Sequence, residues 1–303
     1  MGLLVDLASR SLKGARAYQE DTCAFAADSE GAARGADLGA RIEPAPSRTP
    51  KGEDLVAVLA DGMGGHAGGA RASQIACRHF LEAFTAARGA PDERLTLALM
   101  AANQAMANTV ATEPDLSGMG STLIGVTVSE AGLRWISVGD SPLYLWRKGE
   151  MALVNEDHSL APLLDVLVAE GSMSIEEARR HPNRHFLRSA VTGEDIDLID
   201  LAETSLPLET GDVVVLASDG VQTLAVETIA KAIETAEANG ADAIAEALIA
   251  AVEAACASHQ DNTTVMVLKV LRAGSAASTG EALYEASKTA IVEPRTRTAG
   301  RGA

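Results

Sequence analysis

The sequence predicts an α+β fold in which antiparallel sheets are covered by paired helices, and three observations carry that expectation. Strand-length apolar runs follow one another with hairpin punctuation such as Gly132 and Lys148-Gly149 between them. Helical patterns, with apolar residues at spacings of three and four, come in pairs rather than alternating singly with strands. Apolar residues make up 47% of the 303 positions but aromatics only 3%, so a large core has to be built from Ala, Leu, Val and Ile.

Taken in order, 3–9 and 22–27 read as strands, separated by the polar, turn-rich SLKGARAYQED. Residues 28–54, rich in Gly, Ala, Pro and Arg without a sustained period, read as a long surface loop. LVAVLA (55–60) is a buried strand that breaks at Asp61-Gly62 into a loop containing Gly62, Gly64, Gly65, Gly68 and Gly69. Helices follow at 70–88 and 91–111, then strands at 121–128, 133–139, 143–147 and 151–155. A helix is expected over 159–170 with Ser159 as its N-cap. A second start signal lies at Ser174-Ile-Glu-Glu, with Pro182 as its stop. Strands at 186–191, 196–201 and 212–217, helices at 226–237 and 242–257, and a last strand at 263–271 complete the pattern. From Arg272 the chain turns small and polar, the composition of a disordered tail or an interaction segment.

The formal charge is −17, from 25 basic and 42 acidic residues. This balance argues against a nucleic-acid backbone or an anionic membrane as partner. A phosphorylated ligand would need a cation or a placed arginine. Cys23, Cys77 and Cys256 are widely spaced and contain no C-x-x-C pair, as in a chain with reduced thiols. No apolar run approaches the ~20 residues of a membrane span. The N-terminus lacks a basic region ahead of its short apolar piece, so a soluble, cytoplasmic protein is expected.

The chemistry sits at strand ends. Three apolar strands finish on an acid: VAVLAD at Asp61, LRWISVGD at Asp140 and VVVLASD at Asp219. Two more begin just after acids, Glu20-Asp21 before TCAFAA and Asp261 before NTTVMVL. Between antiparallel neighbours, the end of one strand and the start of the next share a sheet edge, which brings these residues to one place. Each acid alone is also ordinary turn chemistry; five junctions of one design favour convergence. Carboxylates so gathered repel one another unless a cation neutralises them, and an all-oxygen set suits Mg²⁺ or Mn²⁺ rather than zinc. Arg16, four residues before Glu20, reads either as a salt-bridge partner or as a bidentate phosphate ligand.

GARAYQED (14–21), LADGMGGHAGG (59–69), GMGSTL (118–123), SVGDSPLYL (137–145), DHSL (157–160), EEARRHPNRHFLRSAVTG (176–193), LASDGV (216–221) and DNTTVMVL (261–268) occur in this order. Together they resemble the metal-dependent serine/threonine protein phosphatases of type 2C, in their bacterial form, over about 3–271. The resemblance implies a four-layer α-β-β-α sandwich forming one catalytic domain over 1–271, with 28–54 as a surface insertion, 160–188 as a flap and 272–303 as a disordered C-terminal tail. It implies two core Mn²⁺ or Mg²⁺ ions and a possible weaker third. Asp61 would bridge the core pair, Asp219 and Asp261 complete one site, and Glu20 with the Gly62 carbonyl serve the other. Asp140 would hold the third ion, Asp21 orient the attacking water, and Arg16 bind the substrate phosphate. A water activated by the metals would attack phosphorus in line, without a phosphoenzyme.

Gln19 stands where the family more often has Asn, and Met63 where animal and plant relatives carry a proposed acidic His. His66 is a candidate for that proton donor. Arg179, Arg180, Arg184 and Arg188 make the flap locally basic and suggest attraction of phosphate or flanking acids on a substrate. The expected partners are phosphorylated proteins, a cognate serine/threonine kinase among them, acted on by a monomer. A catalytically silent phosphoprotein-binding module and a small-phosphoester hydrolase are the alternatives. The complete acidic set argues against the silent module.

Overall fold

The computed structural model describes residues 3–27, 34–35, 45–48, 55–64 and 67–273. Among these, the first layer-forming elements are β1 (Leu4–Leu12), β2 (Asp21–Ala27), β3 (Arg34–Gly35), β4 (Ala45–Arg48) and β5 (Leu55–Met63). Helices α1 (Ala67–Ala86) and α2 (Pro91–Thr112) come next, followed by β6 (Gly120–Ser121), β7 (Leu123–Ser129), β8 (Gly132–Val138), β9 (Leu143–Arg147) and β10 (Glu150–Leu153). Short helices α3 (Ala161–Ala169) and α4 (Ile175–Arg179) precede β11 (Asp200–Leu201) and β12 (Val213–Ala217). Helices α5 (Val226–Ala236) and α6 (Ala241–Ala254) lead into β13 (Thr263–Arg272).

The strands form two antiparallel sheets, ordered β10-β9-β12-β13-β1-β4 and β11-β8-β7-β5-β2-β3, with β6 added to β5. Strand alternation explains why the central strands read as unbroken apolar runs: both of their faces are buried. On β5, Leu55, Ala57 and Leu59 face the other sheet, while Val56, Val58 and Ala60 pack under α1 and α2 with Phe80, Phe84, Leu95 and Leu99. On β12 and β13, Val214, Leu216, Met266 and Leu268 point between the sheets, and Val213, Val215, Val265 and Val267 point to α5 and α6. The result is the α-β-β-α sandwich that the family resemblance implied, with the apolar inter-sheet layer at its centre.

Several expected elements differ. The residues at 186–191 form no strand: Leu187 bridges to Ser159 and Val191 to Ser121, so neighbouring residues pair with different partners and no ladder builds. At 196–201 only Asp200 and Leu201 pair, with β8. The helix expected from Ser159 starts at Ala161, and the Ser159 hydroxyl accepts the Ala161 N–H at 3.1 Å. Within 28–54, β4 pairs with β1 as an edge strand, a position that tolerates Pro46 without its N–H, and β3 pairs with β2. The remainder of 28–54 and the tail from 274 lie outside the described residues. Ser174 does cap α4: its hydroxyl accepts from Glu177 N–H at 3.1 Å, and the Glu177 carboxylate accepts from Ser174 N–H at 2.9 Å.

Candidate metal centre and phosphate cleft

One end of the sandwich gathers the strand-end acids. Glu20, Asp61, Asp140, Asp219 and Asp261 line a single cleft of about 610 Å³, with Arg16 and Gly62. Asp21 lies just beneath, paired across the sheet with Asp61. Every core residue expected at the site from the sequence is therefore present at this end.

The local chemistry that holds them is specific. Asp61 lies near the end of β5, where its backbone is clamped by Ser121 and Thr122. Its N–H donates to Thr122 Oγ1 at 3.0 Å, and its carbonyl accepts from Thr122 N–H at 2.9 Å and Ser121 Oγ at 2.8 Å. Asn262 ties the 13–20 loop to the start of β13. Its Oδ1 accepts from Glu20 N–H at 2.8 Å, and its Nδ2 donates to the carbonyls of Lys13 at 2.8 Å and Tyr18 at 3.0 Å. Gly14, at φ +61°, lets this loop lie against the chain: a Cβ there would stand 2.5 Å from the carbonyl oxygens of Gln260 and Asp261. Ala15 N–H donates to Gln260 O at 2.8 Å.

The glycines after Asp61 serve close approach. A Cβ on Gly62 would stand 2.0 Å from the Gly69 carbonyl oxygen, and one on Gly69 would stand 2.5 Å from Glu20 Oε1. Glu20 is thus seated against the first turn of α1, where the helix dipole favours an anion. Ser73, one turn further along α1, donates to the Glu20 carbonyl.

Electrostatically the site is a crowd of carboxylates, with Arg16 among them. Burial, then the charges of Asp21, Asp219, Asp140 and Asp261, pushes Asp61 well above the usual carboxylate range. Asp140 is pushed up to about 8, by burial first and then by Asp219 and Asp157. Burial pushes Asp21 up to about 6, and the charge of Asp219 adds to that. Hydrogen bonds, including one donated by Ser218 Oγ at 2.8 Å, work the other way. Asp219 is raised by burial and by Asp261, and eased by His185 and Arg16. Arg16 pairs with Asp261; burial opposes its charge, but Asp261, Glu20 and Asp219 hold the guanidinium firmly protonated.

These residues fit hard divalent cations. Asp21 Oδ1 and Asp219 Oδ1 are buried without a hydrogen-bond partner, a costly state that a cation relieves. Among the described residues no group of three or more His, Cys, Asp or Glu side chains is already placed to hold a metal ion. A spread ring of carboxylates suits ions of the Mg²⁺ type, which keep several waters and take only one or two carboxylates each.

Other expectations meet mixed outcomes. Arg188 lines the cleft. Arg184 is instead clamped to Asp165 of α3 through two contacts at 2.9 and 3.1 Å, and Arg180 Nε lies 2.6 Å from Glu176. Arg179 is exposed at the end of α4. His66 lies outside the described residues. His158, buried, accepts Gly139 N–H at Nδ1 (3.2 Å) and donates its own N–H to the Gly139 carbonyl (3.0 Å), a structural support beneath Asp140. Burial raises the Cys23 thiol to about 11 and also raises Cys77, as expected for core cysteines.

Thr122, Ser218, Asn262, Gly69 and His185 escaped the sequence reading as site residues. Ser218 and Asn262 adjoin Asp219 and Asp261, so proximity to an acid was the signal available for those two, whereas Thr122 lies in GMGSTL with no acid beside it.

A family model described as protein phosphatase 2C matches residues 45–250. That span contains Asp61, Asp140 and Asp219; Arg16, Glu20, Asp21 and Asp261 fall outside it and are brought to the cleft by β1, β2 and β13. The serine/threonine protein phosphatase PstP of Mycobacterium tuberculosis is 35% identical over 216 residues, 70% of this chain and 40% of that protein. This chain therefore spans less than half the length of that relative. The serine/threonine phosphatase stp of Listeria monocytogenes is 31% identical over 183 residues, covering 59% of this chain and 71% of the relative. Among solved structures, the PstP catalytic domain in complex with two manganese ions aligns with a TM-score of 0.65 at 31% identity, over 89% of this chain and 99% of the other.

Proposed function

This chain belongs to the protein phosphatase 2C family, and from that premise we propose that it removes phosphate from phosphoserine and phosphothreonine in proteins. The observation that carries the reading is the convergence of Glu20, Asp61, Asp140, Asp219 and Asp261 with Arg16 in one cleft. On this reading Asp61 is shared between two core cations, Asp219 and Asp261 hold one, and Glu20 with the Gly62 carbonyl holds the other. Asp140 serves a weaker third. Divalent cations bound there would supply Lewis-acid charge and a water acidic enough to act as nucleophile near neutral pH.

The chain's own groups do the rest. The Arg16 guanidinium binds a phosphate oxygen and offsets charge on the equatorial oxygens as the bond to the leaving group breaks. Asp21, steadied at Oδ2 by the Ser218 hydroxyl, orients the attacking water through Oδ1. Asn262 keeps Arg16 and Glu20 in register by holding the backbone between them.

The manganese in the PstP structure supports Mn²⁺ as one ion used here, with Mg²⁺ as the alternative. We take 1–271 as the catalytic domain, 28–54 as its surface insertion, 160–188 as its flap and 272–303 as a tail. Among the described residues no helix is long and apolar enough to cross a membrane. The proposed setting is a cytoplasmic monomer that opposes serine/threonine kinases. The deciding assay is turnover of p-nitrophenyl phosphate and of a phosphothreonine peptide, each with Mn²⁺ and with EDTA. Metal-dependent turnover of both is expected. Turnover of the small ester alone would favour a small-phosphoester hydrolase, and no metal-dependent turnover of either would overturn the enzyme reading.

A further inference from the structure

One wall of the cleft carries acids that the metal centre does not use. Glu194, Asp195 and Asp197 line it and are exposed, and their carboxylates form no ion pair or hydrogen bond among the described residues. A solvated acidic face would be the ordinary explanation in a protein of charge −17, but this wall is held rigidly. Asn103 of α2 accepts from Gly193 N–H at 2.9 Å and donates to the Glu194 carbonyl at 2.7 Å. Val191 and Ser121 exchange backbone hydrogen bonds at 2.8 and 3.0 Å, and Ser189 Oγ closes on Leu198 N–H and C=O at 3.1 and 2.9 Å. The backbone segment that carries the three acids is therefore anchored on both sides at the cleft.

Little positive charge balances them. Of the four flap arginines, Arg184 and Arg180 are committed to Asp165 and Glu176 and Arg179 does not line the cleft, leaving Arg188 there with His185, while Arg16 is engaged with Asp261. Phe186, which also lines the cleft, is 64% exposed, with its carbonyl pinned by Leu160 N–H at 3.0 Å. An exposed aromatic ring in a cleft that also presents carboxylates suits a Lys or Arg side chain, through its apolar stem and by cation–π contact. The floor is the cluster of carboxylates and Arg16 already described, where the phosphatase reading puts the phosphate.

We propose that the cleft selects phosphorylated segments flanked by Lys or Arg, with the phosphate at the floor and the basic flank against Glu194, Asp195, Asp197 and Phe186. This rests on the phosphatase reading above and names its substrate class. It reverses the expectation, drawn from the arginines of the flap, that flanking acids would be preferred.

The test compares two phosphothreonine peptides of equal length, one with Lys/Arg flanks and one with Asp/Glu flanks, on the wild-type chain and on E194Q/D195N/D197N, with Mn²⁺. Exposed charge pairs are individually weak, so three of them should give the basic peptide about a tenfold higher kcat/KM at low salt, shrinking as salt is added. The triple variant should bring that ratio to near one. Because the ratio compares two substrates of one protein sample, partial damage to the metal centre cancels. Equal kcat/KM for the two wild-type peptides, a preference for the acidic one, or an unchanged ratio in the variant would overturn this inference and leave the phosphatase reading standing. Absence of turnover for both peptides and for p-nitrophenyl phosphate would overturn both.

Discussion

Asp21 and Asp61 sit directly opposite one another across the antiparallel pair of β2 and β5, both with carboxyls raised above the usual range by burial and by their acidic neighbours. Like charges in cross-strand register destabilise a sheet. The pair makes sense where a cation binds close by, and it places that requirement at the first residue of β2 and near the end of β5, two otherwise largely apolar strands.

Asp61→Asn should therefore separate stability from activity. Turnover should fall by at least about 10²-fold, because the charge at the centre of the acidic ring is lost. The metal-free protein should become more stable by about 1 kcal/mol, a rise in Tm of about 2–4 °C for a domain of this size. Thermal melts in EDTA alongside Mn²⁺-dependent kinetics check both. Near-wild-type activity in this variant would overturn the metal assignment.

The stabilising effect of Mn²⁺ should grow with pH. Without a cation, Asp21 is raised to about 6 and Asp140 to about 8. The folded metal-free chain then holds protons that the unfolded chain releases near pH 4. The stability from these groups is fully present below that unfolded value and is lost as pH rises through about 6 and then about 8. Bound cations remove that loss by displacing the protons. The Tm difference between Mn²⁺ and EDTA samples should widen from pH 5 to pH 8, and calorimetry in buffers of different ionisation enthalpy should detect proton release on binding. A pH-independent difference would contradict this account.

Asn262→Ala should cost about 2–3 kcal/mol, because three hydrogen bonds to the 13–20 loop disappear together. It should also cost about 10²-fold in kcat/KM, since Arg16 and Glu20 lose their common anchor. Weaker Mn²⁺ binding measured by calorimetry distinguishes this positioning role from a simple loss of stability.

Arg16→Ala should lower kcat/KM for phosphopeptides by about 10–100-fold, the scale of a lost charged hydrogen bond. Arg16→Lys should recover only part of this, because an ammonium lacks the bidentate fork. Unchanged kinetics in Arg16→Ala would leave its pairing with Asp261 as its only role.

Much of the molecule was legible because the relevant signals are local. Strand alternation, helix spacing and the Ser174 capping box read directly into β5, β12, β13, α1, α2, α5, α6 and α4. Acids at the ends of apolar runs pointed to the centre, since each needs only its own strand to be exposed at a sheet edge. The apolar residues at 186–191 misled for the same reason: periodicity predicts a strand, but a strand also needs one continuous partner, and Leu187 and Val191 answer to different ones.

By itself, then, the sequence pointed to antiparallel sheets covered by paired helices and to acids at strand ends with Arg16 nearby, all written in short-range patterns, while the four layers and the roles of those residues followed from the family resemblance. Only the tertiary structure decided the partners. It tied Asn262 to a loop some 240 residues upstream, spent Arg184 on Asp165, and turned Glu194, Asp195 and Asp197 toward the cleft. A side chain's charge is fixed by its residue type, but its partner depends on which distant backbone closes against it.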